Sequence, residues 1–353
     1  MIQTATVTWI TYRNFGTFLQ AYALQQTLKS MGVANHIIDD RSMVYASKLR
    51  MYLSELKYIL MPWKDQTRRF YKKFAHRYLL IDSRFSCPDE LNNRYDIFIC
   101  GSDQIWSPYL KFKGFYYLDF TQKKKIAYAP STGTGTCSET YQHNVKSLIE
   151  RFDAVSVREE DGMKMLSSFL NKDVCTVLDP TLLVTTEQWE SITYPIKETD
   201  YILCYFLTPN LWYMNYVKEY AKKKGLKLFI FATNPEYSHY GDSALKVGPD
   251  GFLSYIRYAK KVFTDSYHAS IFSILFRKDF VTFERFAAHS ANNQNTRVEN
   301  LFQKFRLQSY FVGPERLNEV ETLPVPSYEK VFTVLEQERN KSLDFLRSSL
   351  FNN

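Results

Sequence analysis

Apolar residues in this chain come in short runs bounded by polar turns, and between those runs they recur at helical spacing. Residues 4–10 mix β-branched and aromatic side chains and read as a strand. The polar turn Thr11-Tyr12-Arg13-Asn14-Phe15-Gly16 leads into a helix over residues 17–31, where Phe18, Leu19, Tyr22, Ala23 and Leu28 share a face and Gly32 supplies the stop. Residues 33–38 form the next strand, so the chain opens on a βαβ unit. Further strands are expected at 95–100, 125–129, 152–157 and 174–178, with a helix from Glu159. A polar, Pro-containing stretch at 194–199 precedes a second series: strand 201–207, helix 211–224, strand 226–232, helix 252–259, strand 261–264, helix 268–276, strand 280–283 and helix 298–305. Two successive alternating series predict an α/β protein of two doubly wound, Rossmann-like domains facing each other across a cleft. The expected division is 1–195, then 196–326, with a last helix over 327–353 packing back on the first domain.

Composition narrows the class. A chain of 353 residues, 45% hydrophobic and 23% charged, is long enough for two domains and needs neither disulfides nor metal to build a core. Its 26 Tyr and 27 Phe against 12 Gly suit broad packed sheets and exclude disorder and collagen. No apolar run approaches the eighteen or so residues of a membrane span, and no signal peptide is evident. The five cysteines (Cys87, Cys100, Cys137, Cys175, Cys204) lack CxxC spacing, which fits buried thiols in a reducing compartment better than a disulfide framework or a zinc site. The expected location is the cytoplasm, with the inner face of the membrane as the extension that the charge pattern suggests.

That pattern is uneven. Of a net charge of +8 (45 minus 37), residues 48–77 supply nine cations against Glu55 and Asp65, a surplus of seven. Leu49, Tyr52, Leu53, Leu56, Ile59, Leu60 and Trp63 recur there at helical spacing, followed by Phe70, Tyr71, Phe74 and Tyr78, and Pro62 divides the excursion (47–80) into two helices. One reading is a surface for anionic lipid or a lipid-linked anionic substrate. The other, the commoner case for a charge run, is a helical excursion with a solvated basic face. Nucleic acid ranks below both, since no recognition module is visible.

Candidate chemistry follows from topology. In open α/β sheets, ligands bind beyond the carboxyl ends of strands, where helix N-termini point. That rule selects Asn14-Phe15-Gly16, Gly101-Ser102-Asp103, Ser131-Thr132-Gly133, Arg158-Glu159 and Asp265-Ser266-Tyr267-His268. In the last turn, Asp265 or Ser266 caps a helix and His268 falls in its first turn, where free N–H groups favour an anion and a bound phosphate would favour a protonated ring. Such a histidine is placed for acid–base work. Arg158 either clamps an anionic ligand or pairs with Glu159 or another carboxylate, and Arg297 sits near another helix start. His36, His76, His143, His239 and His289 read as structural or surface residues, and Asp179 and Thr181 as a turn and cap. One histidine and two arginines on strand-to-helix turns suggest a small, doubly anionic substrate.

Six of these segments, in order, resemble the polysaccharide pyruvyltransferase family: Tyr12-Arg13-Asn14-Phe15-Gly16 with Leu19-Gln20-Ala21-Tyr22-Ala23-Leu24; Gly101-Ser102-Asp103-Gln104-Ile105-Trp106; Tyr128-Ala129-Pro130-Ser131; Ser156-Val157-Arg158-Glu159; Leu178-Asp179-Pro180-Thr181-Leu182-Leu183; and Thr264-Asp265-Ser266-Tyr267-His268. The sequence departs from that family at Ala269, where many relatives have Gly, and at Arg277-Lys278-Asp279, where many have a Gly or Pro. The resemblance implies a fold similar to the GT-B glycosyltransferases and transfer of a pyruvyl group from phosphoenolpyruvate to sugar hydroxyls, forming a cyclic ketal in exopolysaccharide biosynthesis. It implies catalytic roles for His268, Arg158 and Arg297, with Ser266 joining them around the donor. Asn14, Phe15, Gly16 and Asp103 would face the saccharide acceptor, free or lipid-linked. No cofactor or metal is implied beyond phosphoenolpyruvate as co-substrate, and the oligomeric state is left open. Two rival classes remain. One is a nucleotide-sugar-dependent glycosyltransferase, for which Glu321 and Glu329 have a suggestive spacing broken by Pro324 and Pro326. The other is a non-catalytic glycan-binding or scaffold protein.

Overall fold

The structure is a computed structural model that describes residues 2–41, 48–61, 67–231, 237, 239–286 and 293–352. The chain divides into two compact units, Met1–Val184 with Glu336–Asn353, and Thr185–Leu335.

The first unit is built on β1 (Gln3–Val7), β2 (Ala34–Ile38), β3 (Ile81–Asp82), β4 (Ile97–Cys100), β5 (Lys124–Ala127), β6 (Ala154–Val157) and β7 (Cys175–Thr176). They form one sheet in the order β3-β2-β1-β4-β5-β6-β7, parallel throughout. β1 is the pivot: Thr4 pairs with Asn35 on one side and Ile97 on the other. The second unit repeats the plan with β8 (Tyr201–Tyr205), β9 (Lys227–Ile230), β10 (Ser243–Ala244), β11 (Lys261–Thr264), β12 (Asp279–Phe283) and β13 (Phe311–Val312), in the order β10-β9-β8-β11-β12-β13. Each sheet therefore has one point where strand order reverses, between β1 and β4 and between β8 and β11. Such switch points open the crevice in which doubly wound folds bind ligands. The two Rossmann-like units confirm the fold class read from the alternation.

Parallel strands are covered on both faces, which is why Tyr201–Tyr205 is buried at every position. The same reason applies to the helix Phe15–Ser30, where thirteen of sixteen residues are buried instead of a single stripe. Its outer side is covered by the helix Arg68–Tyr78: the ring of Phe18 lies 5.0 Å from Tyr71 and 6.4 Å from Phe74, and Tyr22 lies 6.1 Å from Phe74. The helix Leu211–Lys224 has the predicted limits, closed by Gly225 at φ +64. Strands at the site end sooner than predicted. β1 stops at Val7, and β5 stops at Ala127 because Ala129 swings to φ +57. Arg277 takes φ +51 and lays its guanidinium 4.4 Å from the centre of the Phe332 ring. Pro62, Trp63, Ala232 and His289 lie outside the described residues.

The short helix Thr186–Glu190, closed by a capping box from Thr185 and Gln188, belongs to the second unit because its buried Trp189 meets Phe272 edge-on at 4.9 Å. The last helix, Tyr328–Phe351, is counted with the first unit from Glu336 onward. There Ser342 Oγ accepts from Leu178 N at 2.9 Å and Arg339 Nε donates to the Leu182 carbonyl at 2.8 Å. No helix among the described residues is long and apolar enough to cross a membrane.

One buried carboxylate in the first unit makes stability depend on pH. Asp40, just past β2, is fully buried and accepts hydrogen bonds from Thr11 Oγ1 and, at 2.9 Å, from Tyr116 OH. Burial pushes its carboxyl up to about 6 despite those two bonds, with Asp39 adding to the rise. The folded state thus holds this proton more tightly than the unfolded chain. The group's contribution is greatest below about pH 4 and falls as the pH climbs to about 6, by about 3 kcal/mol at most. Asp40→Asn removes the titration while leaving both hydroxyls a partner. Its unfolding temperature relative to the parent should rise between pH 4 and pH 7; a constant offset would contradict the assignment.

Candidate functional site

At the carboxyl edge of the first sheet, polar side chains link one strand end to the next. Gln20 Nε2 donates to Thr8 Oγ1 at 3.0 Å, and Thr8 Oγ1 donates to the Ser102 carbonyl at 2.7 Å. Ser102 Oγ donates to Asp179 Oδ2 at 3.3 Å, and the same oxygen receives Arg158 Nη1 at 2.7 Å. Arg158 Nε reaches Glu159 Oε1 at 2.8 Å, which also accepts from Ser131 Oγ at 2.6 Å. Gly101 lets the strands close to this spacing: a Cβ there would lie 3.0 Å from both Thr6 Cγ2 and Thr8 Cβ. Of the two readings of Arg158, the structure shows carboxylate pairing. Its side chain has no exposed surface and sits in ion pairs with Glu159 and Asp179. Asp179 is more than a turn former, since Oδ1 caps Thr181 while Oδ2 holds the arginine.

Two non-glycine residues with left-handed backbones lie on adjoining turns here, where Asp103 bridges to Pro130 beside Ala129. Asp103 has φ +79 and Ala129 has φ +57, and the Asp103 carbonyl accepts from Ser131 N at 2.8 Å. Such conformations cost on the order of 1–3 kcal/mol and cluster at functional sites. Both Asp103 carboxylate oxygens are engaged, Oδ2 by Thr17 Oγ1 at 2.5 Å and Oδ1 by Gln104 N at 2.8 Å. Asn14 caps its helix through Gly16 N at 2.9 Å, while Phe15 is buried and stacks on Tyr71 at 5.7 Å. The switch point itself holds a hollow of about 410 Å³ lined by Trp9, Tyr12, Phe112, Tyr116, Tyr117 and other residues. Aromatic faces of this kind suit the apolar faces of sugar rings.

In the second unit, Asp265 follows β11 and reaches across the switch point. Its Oδ1 accepts from Leu207 N at 2.6 Å and its Oδ2 from Thr208 N at 3.0 Å. Burial raises its carboxyl to about 6 against those two bonds and the nearby Arg285. Ser266 is the N-cap of the helix Tyr267–Leu275 and accepts from Ala269 N at 3.4 Å. His268 is therefore the second helical residue, 7% exposed, with its ring edge-on to Tyr267 at 5.3 Å. Arg285, just past β12, donates from Nε to Thr208 Oγ1 at 2.6 Å. Asn295 ties the next turn together, accepting from Arg285 N and Phe286 N and donating to the Phe286 carbonyl at 2.8 Å. Arg297 lies inside the helix Thr296–Phe305, not ahead of it, and donates to Gln294 Oε1 at 3.4 Å.

The strand-end residues described so far fall in or close to the span that carries a known sequence pattern, that of the polysaccharide pyruvyl transferases, which matches residues 14–285. The chain belongs to that family. No curated protein matches the sequence. Among solved structures it is similar to a putative UDP-N-acetylglucosamine 2-epimerase from Listeria monocytogenes, at 11% identity and TM-score 0.56 over 100% of this chain and 97% of that one. It is also similar to the S. aureus MnaA–UDP co-structure, at 9% identity and TM-score 0.55 over 99% and 97%. The Methanocaldococcus jannaschii UDP-GlcNAc 2-epimerase in complex with UDP-GlcNAc and UDP gives 10% identity and TM-score 0.50 over 96% and 93%. At such identities the likeness shows the GT-B-type fold alone.

For a member of the pyruvyl transferase family, the second unit carries a capped helix start with an imidazole just past β11, Arg285 just past β12, and Arg297 in the first turn of the helix that follows. Sequence reasoning missed Arg285, although the strand-end rule that selected Arg158 applies to it equally. It also read Asp265 only as a helix cap, whereas Ser266 caps and Asp265 reaches the turn that follows β8. The glutamate pair does not form a unit: Glu321 is paired with Lys223 at 2.5 Å, and Glu329 lies in the helix that starts at Tyr328.

Proposed function

We propose that this protein transfers the pyruvyl group of phosphoenolpyruvate to two hydroxyls of a saccharide, forming a cyclic ketal. The observation that carries this reading is His268 in the first turn of a Ser266-capped helix at the second sheet's switch point, in a chain of the pyruvyl transferase family. One sugar hydroxyl adds to C2 of the enol ester as a proton is delivered to C3. The C2–O bond to phosphate then breaks, inorganic phosphate leaves, and the second hydroxyl closes the ketal with loss of its proton.

His268 is the proton donor or shuttle, a role worth about a hundred- to ten-thousand-fold. Phosphoenolpyruvate carries phosphate and carboxylate close together. Ser266, the helix N–H groups, Arg297 and Arg285 supply donors and positive charge for it. Arg158 enters as a positioning residue that fixes Glu159 and the β6 strand end. The acceptor is assigned to the Asn14–Gly16 turn, Asp103 and the aromatic hollow beside them. The test is incubation of the protein with phosphoenolpyruvate and candidate saccharides, following phosphate by ³¹P NMR and the acceptor by mass spectrometry. Phosphate release with a pyruvate ketal on the sugar is expected. Release of UDP from a UDP-sugar without phosphoenolpyruvate turnover would overturn the reading, and so would sugar binding with no donor consumption.

A further inference from the structure

The helix Lys48–Leu60 turns its apolar face outward. Tyr52, Leu53, Leu56 and Leu60 are 64, 53, 50 and 61% exposed. At about 100° per residue these four fall within one arc of roughly 100°. Arg50 and Lys57 border that arc and are exposed too. Ser54 and Tyr58 lie on the far side, where they line a cavity of about 640 Å³ between this helix and the ends of β1 and β2. A helix packed for stability alone would bury its leucines and expose its serine. Scattered surface leucines are ordinary, but four large apolar side chains in one stripe mark an interaction face.

The surroundings select the partner. Among the described residues lining the cavity are five cations, Arg13, Arg41, Lys57, Arg68 and Lys72, against the carboxylate of Asp39. Arg68 and Lys72 both lie over the Tyr58 ring, at 4.6 and 4.7 Å from its centre, so two cations are held side by side behind the stripe. On the neighbouring helix Arg68–Tyr78, Arg69, Lys73 and Arg77 are exposed. A second copy of this chain would bring like charges together. An anionic bilayer offers both apolar depth and phosphate, and an amphipathic helix with cations beside an outward apolar face is the pattern that lies in its interface.

We propose that the helices Lys48–Leu60 and Arg68–Tyr78 form a docking surface for a membrane rich in anionic lipid. The Tyr52–Leu60 stripe enters the acyl boundary, and the exposed cations Arg50 and Lys57 at its border, with Arg69, Lys73 and Arg77 on the neighbouring helix, meet headgroup phosphates. This inference is independent of the reaction assigned above. The test is co-sedimentation of the full chain with vesicles of phosphatidylcholine alone or with about one third phosphatidylglycerol, at physiological salt. Binding at least tenfold tighter to the anionic vesicles is expected. Leu53→Glu with Leu56→Glu, both at exposed positions, should reduce it at least tenfold with circular dichroism unchanged, and Arg50→Gln with Lys57→Gln should remove most of the anionic preference. As a second readout, Tyr52→Trp should shift its emission to the blue on anionic vesicles only. Equal binding to both vesicle types, or equal binding by parent and Leu53/Leu56 variant, would overturn the proposal. So would a dimer in lipid-free solution that the Leu53/Leu56 substitutions dissociate, without vesicle binding by the parent.

Discussion

Replacing His268 by alanine should lower phosphoenolpyruvate-dependent transfer by about a hundred- to ten-thousand-fold, the range removed with a positioned acid–base group. Thermal unfolding should stay nearly unchanged, and the reason is local. Ser266 still caps the helix Tyr267–Leu275, alanine favours helix, and the buried apolar side chains that seat this helix, Ile271, Phe272, Ile274 and Leu275 among them, are untouched. Phosphoenolpyruvate binding, read by calorimetry, should fall far less than kcat, because the capped N–H groups and the arginines remain. A further signature separates acid–base work from packing. His268→Gln keeps a hydrogen-bonding side chain of similar reach but cannot carry a proton, so it should be as slow as alanine. Turnover within a few-fold of the parent in either variant would remove His268 from the chemistry.

What the sequence could disclose differed by element, for physical reasons. The helix Leu211–Lys224 was legible to the residue because its apolar spacing, the Asn210 cap and the Gly225 stop all agree, and the strand Lys261–Thr264 was legible to the residue as well. The edge strands Ile81–Asp82, Ser243–Ala244 and Phe311–Val312 were not, since two residues carry no period and pair only because a neighbouring strand is already there. The turns around His268 and Arg158 could be found from the strand-end rule and the family resemblance. Their partners could not: Asp179 meets Arg158 from 21 residues away, and Asp265 meets Leu207 and Thr208 from 58 and 57. The basic excursion shows the same limit. The sequence counts its charges and apolar residues, but which face of Lys48–Leu60 meets solvent depends on what packs behind it. The outward face proved to be the leucine-rich one.

Arg158→Ala is expected to destabilise the N-terminal unit by about 3–5 kcal/mol, the usual result of removing one partner from a buried ion pair. The guanidinium is fully buried, and so is the side chain of Asp179, while that of Glu159 is 3% exposed. Glu159 already keeps one oxygen, Oε2, buried without a hydrogen-bond partner among the described residues. Alanine would leave two carboxylates in a space that water does not reach, without the cation that Ser131, Ser102 and the Thr181 cap help them to hold. The measurement is denaturant unfolding followed by the fluorescence of Trp106, fully buried in the same unit. The ion pairs are separable from the arginine's bulk by a compensating set: Arg158→Met with Glu159→Gln and Asp179→Asn removes all three charges together and should recover much of the loss. Arg158→Lys should fall between, because a single ammonium cannot span both carboxylates as the planar fork does. If instead Arg158→Ala unfolds like the parent and only the KM for phosphoenolpyruvate rises, the guanidinium is a ligand clamp. The carboxylate network would then be what holds that clamp in readiness, and not the purpose for which the arginine is there.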